Sequence, residues 1–132
     1  MRKFSMIFLL ALGTLLIAAC GGPGTSEISV DMTEFSFTPS SNSVSAGSEV
    51  TVSLTNSGTL EHNWVVMEAG YAVDSPFDAT DQANVLAETS VDAGDSSTLT
   101  FTAPSDGGTY QVVCSVPGHL EGGMEGSLSV TP

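Results

Sequence analysis

The chain has 132 residues, 15 of them acidic and only two basic, for a formal charge of −13 at pH 7. Both cations, Arg2 and Lys3, stand at the N-terminus, and every acid lies at Glu27 or beyond. Nucleic acid is excluded as a partner, because neutralising phosphates takes Lys and Arg. A P-loop lysine, a Schiff-base lysine, an arginine clamp and direct adhesion to an anionic membrane surface are excluded for the same reason.

In chain order, the first element reads as a targeting segment. Arg2 and Lys3 precede an apolar stretch from Met6 to Leu16, then small residues, then Cys20. That is the order of a secretory signal, and the stretch is short for a membrane-spanning helix. Ile17-Ala18-Ala19-Cys20 resembles a bacterial lipobox, which implies that Cys20 becomes the first residue and carries a lipid. Cleavage nearby would instead leave Cys20 as a spare thiol. The expected division is a signal peptide over 1–19, lipidated Cys20 with a flexible tether over 20–27, and one folded domain over 28–132. A Gly-rich tether of this length reaches about 15 Å. Removing both cations with the signal leaves 113 residues and a charge of −15.

The rest alternates with period two, the mark of half-buried strands. Ile28, Val30 and Met32 alternate with acids and serine, and Phe35 and Phe37 flank Ser36. Val50, Val52 and Leu54 follow, then His62, Trp64 and Val66 on one face. Leu99 and Phe101, then Tyr110, Val112 and Cys114, then Leu128 and Val130 complete the pattern. Turn signals at Ser45–Ser48, Asn56–Gly58, Asp92–Asp95 and Pro104–Gly108 separate these runs. About seven short strands so spaced predict an all-β fold, a Greek-key β-sandwich. Residues 68–90 break the alternation and read as a long loop, with a short helix between Asp78 and Glu88.

Beyond Cys20 the chemistry rests on few residues: His62, His119, Cys114 and three methionines, Met32, Met67 and Met124. Cys114, His119 and Met124 fall in one stretch, Cys-Ser-Val-Pro-Gly-His-Leu-Glu-Gly-Gly-Met, with four residues in each interval. Pro117, Gly118, Gly122 and Gly123 let this loop turn tightly. Taken singly, Cys114 reads as a small buried hydrophobe, His62 as a core histidine and Met124 as core filling. Trp64 and Tyr110 read as core aromatics, Met32 and Met67 as packing. Jointly, two imidazoles, a thiolate and a thioether are the ligand set of a blue-copper site. Zinc also takes such ligands, but its structural sites favour several cysteines.

The stretches Glu61-His62-Asn63-Trp64-Val65-Val66 and Cys114 to Leu128 resemble the cupredoxins, with loop spacing most similar to the auracyanin type. The resemblance implies one copper ion held by His62, Cys114, His119 and Met124. It implies that Asn63 ties the two ligand loops together, with its backbone amide near the sulfur. It implies an electron-transfer role with His119 as the electron port, inside a flat apolar contact made by Pro117, Leu120 and the glycines. The usual cupredoxin has some basic residues; this domain has none.

No Gly-x-Ser-x-Gly or His-Glu-x-x-His motif is present. With both histidines in one site, the several further histidines of a multicopper enzyme are lacking, so no enzyme is expected. The expectation is an exported, membrane-anchored single-copper carrier, facing the periplasm or the extracellular side. Glu61, Glu121 and Glu125 border the port, favouring a cationic redox partner such as a c-type cytochrome, or a membrane oxidoreductase complex. The spread of acids also reads as whole-surface adaptation to high salt. A copper chaperone or store is the competing expectation.

Overall fold

The computed structural model describes residues 24–132. The signal segment and Cys20 lie outside the described residues. Nine strands and one helical turn are present among the described residues: β1 Thr25–Thr33, β2 Ser36–Thr38, β3 Ser41–Ser45, β4 Glu49–Asn56, β5 His62–Met67, α1 Ala79–Gln82, β6 Val85–Val91, β7 Ser96–Thr102, β8 Gly108–Val113 and β9 Glu125–Thr131. One sheet has the order β2-β1-β4-β7 and the other β3-β9-β8-β5-β6. β1 runs parallel to β4, and β3 parallel to β9, while all other pairs are antiparallel. Two sheets joined by such crossovers make the Greek-key sandwich expected from the alternation.

The inward sides of the two sheets supply the main core. Val30 and Met32 of β1, Val50, Val52 and Leu54 of β4, and Leu128 and Val130 of β9 meet Trp64, Val66, Tyr110 and Val112. Burying each large side chain of this kind contributes about 1.5–3 kcal/mol. Asn56 closes the inward row of β4. It is 1% exposed, yet its amide donates to the carbonyls of Leu60 and Val91 and its Oδ1 accepts from the N–H of Gly58. A buried amide so satisfied pins the β4–β5 loop instead of destabilising it.

β5 does not alternate; all six of its residues are buried. The reason is a second, smaller cluster on the outer face of its sheet. Val65, Met67, Val73, Val113 and Leu120 pack there with Tyr71, Phe77 and Val85 around them. Segment 68–84 thus covers a sheet face that would otherwise be wet.

Segment 68–91 holds the expected short helix and, beyond it, a strand in place of loop. The helix between Asp78 and Glu88 is only the four residues of α1, capped by Asp78 in a capping box with Asp81. From Val85 the chain is a strand, because the outer edge of β5 offers a ladder that residues 85–91 complete across a bulge at Val66/Met67. β3, Ser-Asn-Ser-Val-Ser, has one buried apolar residue, Val44, and its pairing with β9 defines it. Thr25, Ser26 and Glu27, expected in the tether, pair with Glu49, Val50 and Thr51 as the start of β1.

Candidate metal centre

His62 opens β5 and Cys114 directly follows β8. These strands are neighbours, with Val65 opposite Val113 and Val66 opposite Val112. The pairing brings the start of β5 and the end of β8 to the same end of the sandwich. Loop 114–124 then folds over that end and returns into β9. Its backbone closes on itself: the Cys114 N–H donates to Met124 O at 3.1 Å, and the Met124 N–H donates to His119 O at 3.0 Å. Further bonds run from the N–H of His119 to Val116 O and of Gly122 to Gly118 O. Gly118 and Gly123 take φ of +87° and +93°, where a Cβ would be strained. Gly122 serves differently, since a Cβ there would lie 2.9 Å from the ring of Phe35.

His62 and Cys114 are fully buried and His119 is 5% exposed. Their ligand atoms all lie within 4.8 Å of one another. The two Nδ1 atoms stand 3.0 Å apart, and Cys114 Sγ lies 3.4 Å from His119 Nδ1. The Asn63 N–H points at Cys114 Sγ from 3.5 Å. The Asn63 side chain donates to Ser115 Oγ and accepts from the Ser115 N–H, both at 2.7 Å, so one residue joins the two ligand-bearing segments. Met124 is fully buried in the same core cluster as Cys114.

Burial pushes the Cys114 thiol above its ordinary pKa, against the lowering effect of the Asn63 and Val116 amides. Burial, then the neighbouring His62, holds His119 below the ordinary histidine value. Without a cation the pocket therefore favours a neutral thiol and imidazole. Only one hydrogen fits between two facing Nδ1 atoms, whereas a cation at the point of convergence satisfies both nitrogens and the sulfur. A metal ion also reverses the bias on the thiol, deprotonating it outright. Two imidazoles, one thiol and a neighbouring thioether fit a single type 1 copper ion.

A two-sheet sandwich with these donors at one end defines a cupredoxin-type copper protein. Residues 25–131 match the family of copper binding proteins of the plastocyanin/azurin type, and the chain belongs to it. It is 30% identical to auracyanin-A of Chloroflexus aurantiacus over 158 aligned residues, covering 97% of this chain and 96% of that one. It is 34% identical to auracyanin-B of the same organism, covering 82% of this chain and 52% of that one. The dithionite-reduced auracyanin of Roseiflexus castenholzii superposes with a TM-score of 0.69 at 30% identity, over 83% of this chain and 99% of that one. A blue copper oxidase from Nitrosomonas europaea, 22% identical, shares the fold alone.

The surroundings differ from expectation in two places. Leu120 is 8% exposed and packs into the second cluster, because the chain turns inward after His119. Among the described residues, the exposed large apolar ones are instead Phe35 and Leu60. Phe35 meets the His119 ring edge-on, centroids 5.1 Å apart, and Leu60 lies two residues before His62. Phe35 shares the period of Phe37 across Ser36, so nothing in the sequence marked it as exposed. Glu34 had no signal either. Its Oε1 accepts from the N–H groups of Thr59 at 2.6 Å and Leu60 at 2.8 Å and lies 3.4 Å from His62 Nε2. The two backbone donors, Thr59 first, lower its pKa to about 2.

Proposed function

We propose that this chain is a single-copper electron carrier, exported and held at the outer face of a membrane through a lipid on Cys20. One observation above all supports the carrier reading: two imidazole nitrogens and a thiol, from residues 62, 114 and 119, converge within 4.8 Å in a buried pocket. His62, Cys114 and His119 would hold the ion, with the buried Met124 thioether beside them as a fourth donor. A bound copper ion supplies a one-electron couple, for which thiolate and thioether suit the reduced state and imidazole suits both. The chain's part is to hold these donors still. The closed loop 114–124 and the Asn63 bridge resist rearrangement, so a change of charge at the centre moves little.

Electrons pass through the edge of His119, which lies under the exposed face bearing Phe35. Contact there is small and short-lived. Glu61, Glu121 and Glu125 are exposed around it, which favours a cationic partner such as a c-type cytochrome, or a basic patch on a membrane oxidoreductase complex. With both histidines committed to one site, the chain performs no substrate chemistry of its own.

Addition of Cu(II) to the purified protein is expected to give an intense thiolate-to-copper absorption band in the visible. The band disappears on reduction and is absent from Cys114→Ser; a colourless wild-type protein overturns the reading. Transfer to a cationic partner is expected to slow as salt rises from about 0.1 M to 1 M, where the screening length shrinks from about 10 Å to 3 Å. A rate independent of salt removes the steered encounter and leaves the carrier.

A further inference from the structure

Glu34 occupies a cradle built for a carboxylate. It stands in the turn between β1 and β2, and its Oε1 takes the backbone N–H groups of Thr59 and Leu60. Gly58 leaves the room: a Cβ at that position would lie 2.6 Å from Glu34 Oε1. Asn56 holds the same loop from below through Leu60 O, Val91 O and the Gly58 N–H. The carboxylate so fixed faces His62 Nε2 at 3.4 Å, within ion-pair reach. Nε2 is buried and has no hydrogen-bond partner among the described residues. The Nδ1 of the same ring points the other way, toward His119 Nδ1 and Cys114 Sγ.

We infer that Glu34 is a positioning residue for the metal centre: its carboxylate is the acceptor for an Nε2–H on His62, which fixes that ring's tautomer and aims the Nδ1 lone pair into the pocket. The inference rests on the copper reading for its consequence, although not for its geometry. A buried imidazole has one proton to place. Placed on Nδ1, it would face a second imidazole and leave Nε2 as a bare lone pair beside an anion, which is repulsive. Placed on Nε2, it meets the carboxylate. A histidine ligand that donates its other N–H to a carboxylate becomes a more basic donor. The anion and the stronger donor act with the same sign, since both favour the more highly charged oxidation state of a bound metal. Glu34 is 27% exposed at its side chain, so salt screens it less than the fully solvated acids around it.

Two measurements test this. The first needs no copper. Ring-nitrogen NMR of the metal-free wild-type protein at about pH 8, above the ordinary histidine pKa, is expected to find His62 protonated on Nε2 and His119 on Nδ1. His62 protonated on Nδ1 overturns the inference. The second is the reduction potential of the copper-loaded Glu34→Gln protein. Glutamine keeps an oxygen for Thr59 and Leu60 but removes the charge they favour, so a modest fall in the unfolding temperature is expected with the fold retained. A tenfold loss of preference for the oxidised ion raises a one-electron potential by about 59 mV. The rise is expected to persist at about 1 M salt. A Glu34→Gln potential equal to wild type overturns the inference and reduces Glu34 to a brace for the β4–β5 loop. Failure of the wild type to bind copper overturns the carrier reading alone, and the tautomer measurement still decides the role of Glu34.

Discussion

Two irregular segments lie against β5 and β8, and they are held by different means. Loop 114–124 is tied by its own backbone, with five N–H groups from Cys114 to Met124 donating to carbonyls within the loop. Segment 68–84 is tied backbone to backbone only near its ends, as from the Glu68 N–H to Asn84 O. Its middle depends on side chains: the Val73 N–H donates to Gln111 Oε1 at 2.7 Å and Tyr71 OH donates to Asp81 Oδ1 at 2.9 Å. The contrast follows from what each segment does. Donor atoms for a metal need placement to within about 0.5 Å, which the backbone provides because it has no rotamers to sample. A cover over apolar side chains needs only to exclude water, and a few anchors suffice.

Substitutions can break or sharpen that contrast. The largest effect is expected for Gly123→Ala, which forces a Cβ into the left-handed region at a cost of about 2 kcal/mol. It strains the turn directly before Met124, so both the unfolding temperature and the position of the copper absorption band should move. Val73→Ala comes next. Removing two buried methyl groups from the second cluster costs about 1.5 kcal/mol, and thermal unfolding should register it while the visible spectrum stays as in wild type. An altered spectrum in Val73→Ala would show that the cover and the loop are one unit.

The smallest effect is expected in alkali. The hydrogen bond to Asp81, then desolvation, raises the Tyr71 pKa above its ordinary 10.0. The folded state thus favours neutral Tyr71, so this contribution is complete below about pH 10 and is lost as pH rises through the folded value. Thermal melts of wild type and Tyr71→Phe across that range should converge, with the difference between them largest at the lower pH.

The two segments were also unequally legible. Loop 114–124 carries three of its donors within eleven residues, and a tight turn between adjacent strands has to bring them together, so spacing was informative. Segment 68–84 has no period because it has no ladder of its own; it follows the outer face of β5, which cannot be recognised until β5 is seen to be buried on both sides. Strand β6 escaped for a related reason. Val85–Val91 acquires its extended form from the free edge it completes, and without that edge its residues suit a helical turn as well.

Alternation and ligand order, both local properties of the chain, determined the sandwich and the donors His62, Cys114, His119 and Met124. Asn63 was legible only through the resemblance to the cupredoxins. Contacts between residues far apart in sequence were decided only by the fold. Glu34 resembled the other 14 acids until the β1–β2 turn set it against the loop before His62. Phe35 had the spacing of a core residue, the family resemblance placed Leu120 at the surface, and each lies on the opposite side from its expectation. The physical reason is common to all three: the face a turn residue presents depends on which other turn packs against it, and no periodicity within one segment encodes that.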